Sequence, residues 1–129
     1  MILIDTSVWV DLLGKARRFS ITQAQLMEVA TCNPIVQEVL QGISGDLAYR
    51  KIKDAMLSFP LLSPEMNQEL YLEAAEIYRI GRRRGLTIRS SVDCLIAAIS
   101  IENDVAVWHA DRDFEAIARF TKLKVYSKI

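Results

Sequence analysis

The sequence predicts an α/β fold, a three-layer sandwich in which helices cover both faces of a central, mostly parallel sheet of four or five strands. Two observations predict this class. Short apolar runs alternate along the chain with longer segments of helical periodicity. These short runs are apolar throughout, which is typical of strands buried on both faces of a parallel sheet. With 129 residues, 51% of them hydrophobic, the chain is expected to form one domain over residues 1–129.

Polar residues mark the starts of two helices predicted in the first half of the chain. The apolar run 1–4 predicts the first strand, and a helix capped by Thr6 or Ser7 follows it. Asn33-Pro34 predicts another helix start, with Asn as the cap and Pro in the first turn. The other elements predicted here are a weak helix over 21–28, a buried strand over 29–32, the helix from Pro34 to about Leu40 and a helix over 46–58.

The second half continues the same alternation. Leu61-Leu62 lies between two prolines and could add one short strand. A long amphipathic helix is predicted from Glu65 to Arg84, because a glycine such as Gly85 commonly follows the end of a helix. The other elements are a helix from Ser90 to near Asn103, a strand over 105–108, a helix over 111–120 and a last strand over 123–126.

Charge and composition exclude several classes of protein. Sixteen lysines and arginines balance sixteen acidic residues, so the overall charge gives no general attraction to nucleic acids or membranes. No apolar run approaches the ~20 residues of a membrane-spanning helix, and no secretory leader is recognised. Cys32 and Cys94 lie within apolar stretches, which favours buried thiols in a reducing compartment and therefore a cytoplasmic protein.

Four acidic residues fall where parallel sheets gather their functional groups. Asp5 ends the first strand, and Asp111 lies three residues beyond the strand predicted over 105–108. Glu38 and Asp93 lie near the starts of two predicted helices. If both helices begin at the same edge of the sheet, four carboxylates from four chain segments converge there.

Each of these acids also has a purely structural interpretation. Asp5 and Asp111 could cap the helices that follow them. Asp93 could complete a capping box with Ser90, and Glu38 could be a solvated acid that the start of a helix favours. These interpretations stay open for each residue taken alone.

The helical positions weigh against two of them. Glu38 lies at the edge of the apolar stripe of its helix, as a residue at the rim of a cleft would. Asp93 shares a face with Ala97 and Ser100, and such small side chains would leave room for a ligand. Both positions therefore favour a site over a helix cap.

Converging carboxylates need a cation, because their mutual repulsion otherwise raises their pKa values. Mg²⁺ is the natural partner, with Mn²⁺ as an alternative, since hard cations prefer oxygen ligands. Such ions can activate water and stabilise the leaving oxygen in phosphodiester cleavage. We find neither a nucleophilic serine with its base nor a glycine-rich phosphate loop. The residue types therefore favour metal-assisted phosphoryl chemistry.

The same positions match a known family. Four segments carry the match, namely residues 1–11, 34–42, 92–98 and 111–115, and they occur in the family's order and spacing. Over nearly its whole length the chain resembles the PIN-domain ribonucleases, specifically the VapC toxins of VapBC toxin–antitoxin modules. The resemblance implies a PIN-like sandwich fold.

The resemblance also implies a set of site residues. The acidic metal site would consist of Asp5, Glu38, Asp93 and Asp111. Among these, Asp5 and Asp93 match the family's most consistent metal ligands. Thr6 matches a hydroxyl that helps to hold the site. Asp113 is a second candidate for the fourth acid, ranked lower because it falls within the helix that Asp111 opens.

The implied activity is a Mg²⁺-dependent endoribonuclease that cleaves RNA, most often tRNA, and arrests translation. The implied partners are a cognate VapB-type antitoxin, whose C-terminal segment fills the acidic cleft, and a second copy of the chain in a homodimer within a larger assembly. One departure is His109, which stands where many members have threonine. A lone histidine at a strand end is more often structural, although its titration near neutral pH leaves a role open.

A basic segment precedes the third acid. Five arginines fall within 11 residues, namely Arg79, Arg82, Arg83, Arg84 and Arg89. They could be the solvated, cation-favouring end of a helix. The alternative is an RNA-binding rim formed by Arg82, Arg83, Arg84 and Arg89, because the planar guanidinium binds phosphate through two hydrogen bonds.

Two other functions were weighed. A PIN-like domain that only binds RNA or protein would not need all four acids. A receiver-type signalling module, which also binds Mg²⁺, needs a phosphoacceptor at the end of a strand near the middle of the chain. Asp54 lies instead within a predicted helix.

Overall fold

The computed structural model describes residues 1–15 and 18–126 and arranges them around a parallel sheet. Its three strands are β1 (Ile2–Ile4), β2 (Val29–Ala30) and β3 (Ala106–Trp108), in the order β2-β1-β3. Both neighbours of β1 run parallel to it. All three residues of β1 are buried, which confirms the prediction of strands covered on both faces.

Each edge of the sheet is extended by one isolated parallel bridge. Thr31 pairs with Leu61 on one side, and Val107 pairs with Val125 on the other. The strands predicted over 61–62 and 123–126 are therefore reduced to single bridges. At the first edge the reason is local, because Ser63 takes a left-handed backbone conformation (φ 47°) and turns the chain away. The α/β sandwich with a parallel sheet is confirmed, with three strands in place of four or five.

The described residues form seven helices that flank this sheet. They are α1 (Thr6–Leu13), α2 (Gln23–Leu26), α3 (Asn33–Gln41), α4 (Asp46–Ser58), α5 (Gln68–Arg83), α6 (Ser91–Asn103) and α7 (Arg112–Ala118). Each corresponds to a predicted helix, and the differences lie at the ends. No helix in these residues has the length and apolar character needed to cross a membrane.

The start of α5 is the largest of these differences. The helix was predicted from Glu65 but begins at Gln68. Ser63 and Met66 both have positive φ values, which a right-handed helix cannot contain. Asn67 then precedes the first helical residue.

Two predicted helix caps are also wrong. Asp5 caps α1, in place of Thr6 or Ser7, because its side chain accepts a hydrogen bond from the Ser7 amide. Asn33 lies inside α3, and Cys32 takes the cap position without a capping side chain. The structural cap lies one residue before the predicted one in α3 and one or two residues before it in α1.

The small-residue face of α6 packs into the core. Ala97 and Ser100 are buried, and the Ser100 hydroxyl donates a hydrogen bond to the carbonyl of Val105. The prediction that this stripe leaves room for a ligand is therefore wrong.

Gly85 gives a test of the α5 terminus. Its φ of +75° is disfavoured for side chains with a Cβ, although the space around the site is open. Gly85→Ala is expected to lower the free energy of unfolding by about 1 kcal/mol in chemical denaturation. Gly42→Ala is the matched control, because Gly42 has a φ of −84° and a Cβ there would make only ordinary contacts. An equal loss in both variants would contradict the backbone explanation.

Candidate metal centre

Of the four acids predicted to form the site, Asp5 and Asp111 follow parallel strands, and Asp93 lies beside Asp111. Asp5 and Glu38 are not part of the group of acids that lie within 4.8 Å of one another. Asp5 follows β1, and its amide donates a hydrogen bond to the Trp108 carbonyl at the end of β3 (2.9 Å). Asp111 follows β3 and precedes α7, whereas Asp93 lies in the first turn of α6. The fourth acid, Glu38, lies in the second turn of α3. Parallel pairing of β1 and β3 therefore brings Asp5 and Asp111 to one edge.

Asp5 combines a structural role with a free ligand atom. Its Oδ2 accepts hydrogen bonds from the Ser7 amide (3.1 Å) and the Ser7 hydroxyl (2.6 Å). Its Oδ1 is buried and receives no hydrogen bond within the described part of the chain. Burial raises the pKa of Asp5, and the hydrogen bonds from Ser7 offset part of that rise. The cap interpretation was thus correct for one oxygen and leaves the other available.

Ser7 is a site residue that the sequence analysis treated only as a possible cap. Besides binding Asp5, its hydroxyl oxygen accepts a hydrogen bond from the Ala110 amide (3.0 Å). Ser7 therefore links the start of α1 to the loop that carries Asp111. The Asp-Thr-Ser spacing was the available signal, since acidic side chains commonly bind the amide two residues further on.

Asp93 is buried at the start of α6, with 6% of its surface exposed. Its Oδ2 is buried and receives no hydrogen bond from donor groups of the described residues. Burial, with the negative charges of Asp5 and Asp111, raises the pKa of Asp93 to about 9. Without a cation, Asp93 therefore keeps its proton at neutral pH.

The capping-box interpretation of Asp93 is wrong, because Asp113 takes that role. The Oδ2 of Asp113 accepts hydrogen bonds from the amides of Arg89 (3.0 Å) and Ser90 (3.1 Å). Asp113 is 2% exposed and holds the chain just before α6. It therefore positions the helix from which Asp93 extends.

Carboxylate oxygens of Asp93, Asp111 and Asp113 all lie within 4.8 Å of one another, and we call this group the acidic cluster. Asp111 also caps α7, since its Oδ1 accepts a hydrogen bond from the Asp113 amide (3.0 Å). Although burial opposes it, this bond and those involving Asp93 and Arg89 hold the pKa of Asp111 below its usual value. Both candidates for the fourth acid thus lie beside Asp93.

Glu38 joins the site from α3 through Thr6. The Thr6 hydroxyl donates a hydrogen bond to Oε1 of Glu38 (2.8 Å). Glu38 is half-buried, as a rim position requires. Burial, with the negative charges of Asp5 and Glu38, raises the pKa of Cys32 to about 12, so this buried thiol stays protonated. Because Thr6 directly follows Asp5, its bond to Glu38 brings α3 next to the start of α1.

One of the predicted arginines reaches the acids. The Nη2 of Arg89 donates a hydrogen bond to Oδ1 of Asp111 (3.1 Å), and its Nε lies 3.7 Å from Oδ1 of Asp113. The others lie at the exposed end of α5 with separate partners. Arg82 stacks on Tyr78, Arg84 lies over Phe120, and Arg79 and Arg83 pair with Glu76.

His109 has the structural role that its position at a strand end favoured. Its Nδ1 accepts a hydrogen bond from the Asp111 amide (3.1 Å), so its ring proton is on Nε2. The Nε2 lies 3.2 Å from Oε1 of Glu115 without hydrogen-bond geometry, and the ring packs against Phe114. His109 therefore orients the backbone of Asp111.

The residues present fit a divalent metal ion. Asp5 and Asp93 each provide a buried carboxylate oxygen that lacks a hydrogen bond, and such an atom is costly unless a cation meets it. The donors gathered around them are all oxygen atoms of acids, the set that Mg²⁺ and Mn²⁺ prefer. The site can therefore hold a hard divalent cation.

The raised pKa of Asp93 predicts a dependence of stability on pH. The folded protein holds this proton more tightly than the unfolded chain, whose value is 3.8. Without divalent cations, stability is therefore lost as the pH rises from about 4 towards about 9. In EDTA at pH 8, Asp93→Asn is expected to raise the free energy of unfolding by at least ~1 kcal/mol, with little effect at pH 4.

Asp46→Asn is the matched control, since Asp46 is an exposed acid in the first turn of α4. Chemical denaturation at both pH values should show no gain in stability for it. Equal stability of Asp93→Asn and the wild type at pH 8 would contradict the raised pKa of Asp93.

Comparisons with known proteins agree with this geometry. The family model described as PIN domain matches residues 2–120. Ribonuclease VapC11 of Mycobacterium tuberculosis is 35% identical over 133 residues, and the alignment covers 98% of each chain. A VapC ribonuclease of Mycobacterium bovis matches to the same extent.

Solved structures share the fold at lower identity. VapBC-1 from nontypeable Haemophilus influenzae superposes with a TM-score of 0.74 at 17% identity, covering 98% of this chain and 97% of that chain. VapC20 of Mycobacterium tuberculosis, described as a sarcin–ricin loop cleaving toxin, gives a TM-score of 0.65 at 22% identity, with 96% and 99% covered. Because the family model and the VapC relatives each span nearly all of the sequence, the chain belongs to the PIN-domain family and, within it, to the VapC ribonucleases.

Proposed function

We propose that this protein is a metal-dependent endoribonuclease and the toxin of a toxin–antitoxin pair. Two observations carry the proposal: Asp5 and Asp93 each have a buried carboxylate oxygen without a hydrogen bond among the described residues, and Asp93 lies in a cluster with Asp111 and Asp113. A domain that only binds RNA or protein would keep these carboxylates at a cost in stability and without a use. The receiver-type alternative lacks its phosphoacceptor, because Asp54 is exposed on α4.

We propose that four acids hold Mg²⁺, or Mn²⁺ in its place. They are Asp5, Glu38, Asp93 and Asp111. When bound, the cation would lower the pKa of a coordinated water and stabilise the charge on the leaving oxygen of the phosphodiester. The protein's part is to fix these carboxylates, and a bound cation would favour the deprotonated form of Asp93, whose pKa is raised without it.

Neighbouring side chains fix the four acids in position. Ser7 holds one oxygen of Asp5, which leaves the other for the cation. Thr6 holds Glu38 in the same way. Asp113 holds the start of α6 and so sets the position of Asp93. These interactions would keep the site in shape before the cation and the RNA bind.

The substrate is proposed to be a structured RNA, with tRNA as the expected class. The exposed arginines at the end of α5 support this, because phosphate contacts bind RNA without reading its sequence. VapC20, which shares the fold, is described as cleaving the sarcin–ricin loop, so a ribosomal RNA loop is the comparison substrate.

The proposed partners are a VapB-type antitoxin and a second copy of the chain, acting in the cytoplasm. The solved structure of VapBC-5 from Mycobacterium tuberculosis supports the first, since it shares the fold and is described as a member of the VapBC family of toxin–antitoxin systems. Exposed apolar side chains support the second, among them Tyr71 and Leu72 on α5 and Leu57 on α4. Two free cysteines support the location.

Cleavage assays test the metal site directly. The purified protein is expected to cleave total tRNA with Mg²⁺ or Mn²⁺ and to stop when EDTA is added. Asp5→Asn and Asp93→Asn should each lower the cleavage rate at least about 100-fold, because each removes a ligand charge. An oligonucleotide of the sarcin–ricin loop serves as the comparison substrate.

The control is again Asp46→Asn, which should cleave like the wild type. Circular dichroism confirms that each variant is folded. Full activity of both Asp5→Asn and Asp93→Asn would refute the metal site, and preferential cleavage of the ribosomal loop would replace tRNA as the substrate class.

RNA affinity tests the basic segment. Arg83→Glu is expected to weaken RNA binding several-fold and to reduce the slope of log affinity against log salt by about one contact. Binding is measured in the Asp93→Asn background so that the RNA stays intact. Lys53→Glu, at an exposed position on α4, makes the same change of charge elsewhere. If both variants have equal slopes, Arg83 does not bind phosphate.

A further inference from the structure

Arg89 occupies a different position from the other arginines of the basic segment. Among the described residues, it is the cation that forms ion pairs with the acidic cluster. Its Nη2 binds Oδ1 of Asp111 at 3.1 Å, and its Nε lies 3.7 Å from Oδ1 of Asp113. Its guanidinium therefore supplies positive charge where the proposed cation would also supply it.

The side chain of Arg89 can move without disturbing the core. It is 57% exposed, whereas the side chain of Asp113 is 2% exposed. A cavity of about 490 Å³ adjoins it, lined among others by Arg112, Glu115 and Arg119. Space is therefore available for a second position of the guanidinium.

The backbone of Arg89 is fixed independently of its side chain. Its amide donates a hydrogen bond to Oδ2 of Asp113, and any residue at this position except proline would keep that bond. Substitution of the side chain therefore leaves the clamp before α6 intact. This separation makes the charge of Arg89 testable by itself.

A divalent cation and the guanidinium of Arg89 would both bind Asp111. Two positive groups a few ångströms apart repel strongly in a partly buried site, where the effective dielectric constant is well below that of water. Oδ1 of Asp111 already accepts hydrogen bonds from Arg89 and from the Asp113 amide, so little of its capacity is left. A cation bound through either oxygen of this carboxylate would repel the guanidinium and so weaken the contact with Arg89.

We propose that Arg89 is a built-in counter-ion that competes with the divalent cation for Asp111 and Asp113 and moves away when the cation binds. The inference rests on the proposed metal site. Without the cation, Arg89 relieves part of the repulsion among the acids. With the cation in place, the released guanidinium has five N–H donors available for an RNA phosphate beside the site.

Mn²⁺ titration of the full chain by calorimetry tests this inference. Arg89→Ala and Arg89→Gln both remove the charge and keep the backbone amide. Each is expected to bind Mn²⁺ about tenfold more tightly than the wild type, because the competing cation is gone. Arg79→Ala is the matched control, since Arg79 is an exposed arginine paired with Glu76. Its Mn²⁺ affinity should stay within about twofold of the wild type.

Thermal melts give a second readout. In EDTA the two Arg89 variants should melt below the wild type, and saturating Mn²⁺ should raise their melting temperatures by more than it raises that of the wild type. Should Arg89→Ala fail to fold, Arg89→Gln decides the question, because it keeps a polar side chain of similar reach.

The outcomes separate the inference from the proposed function. Suppose that the wild type binds Mn²⁺ and that Asp93→Asn abolishes this binding. If the Arg89 variants then bind Mn²⁺ with unchanged or weaker affinity, the counter-ion role of Arg89 is overturned and the metal site stands. Absence of Mn²⁺ binding by the wild type and all variants would overturn both.

Discussion

The central position of β1 is the constraint on which the site depends. This strand pairs in parallel with β2 on one side and β3 on the other, so the segments that follow β1 and β3 leave the sheet at the same edge. The hydrogen bond from the Asp5 amide to the Trp108 carbonyl fixes that register directly beside the acids. With either strand reversed, Asp5 and Asp111 would lie at opposite ends of the sheet. The chemistry of the edge therefore follows from the pairing of three short strands.

Placing several carboxylates at one edge creates an electrostatic cost that the surrounding structure reduces. Hydrogen-bond donors do part of this, since Ser7 binds Asp5 and two backbone amides bind Asp113. Arg89 adds a positive charge. Burial and the repulsion that remains raise the pKa of Asp93. Such a site lowers the stability of the fold when no cation is bound. Binding of a cation removes the repulsion among the acids, and the free energy gained contributes to the affinity for the cation.

The zero net charge of the chain hides this arrangement. The acids of the site are concentrated at the sheet edge, whereas five of the sixteen basic residues lie between positions 79 and 89. Among these five arginines, only Arg89 contacts the acids, because α5 ends at Arg83 and the chain then turns at Gly85 towards α6. The remaining arginines keep exposed guanidinium groups at the end of α5. The acidic and basic residues therefore cancel in the net charge but lie in different places, where the acids face the proposed cation and the arginines face the proposed RNA.

The sequence by itself determined the α/β class and the order of the helices and indicated the acids proposed for the site, because these follow from local periodicity, from residue chemistry and from motifs of fixed spacing. Only the tertiary structure decided which oxygens of Asp5 and Asp93 receive no hydrogen bond among the described residues. One oxygen of Asp5 caps α1 and the other is left for the site. Asp113, and not Asp93, accepts the hydrogen bond from the Ser90 amide at the start of α6. The face of Ala97 and Ser100 likewise proved to be core, since its environment depends on β3. A residue's partners come from distant segments, so no pattern within one segment can specify them.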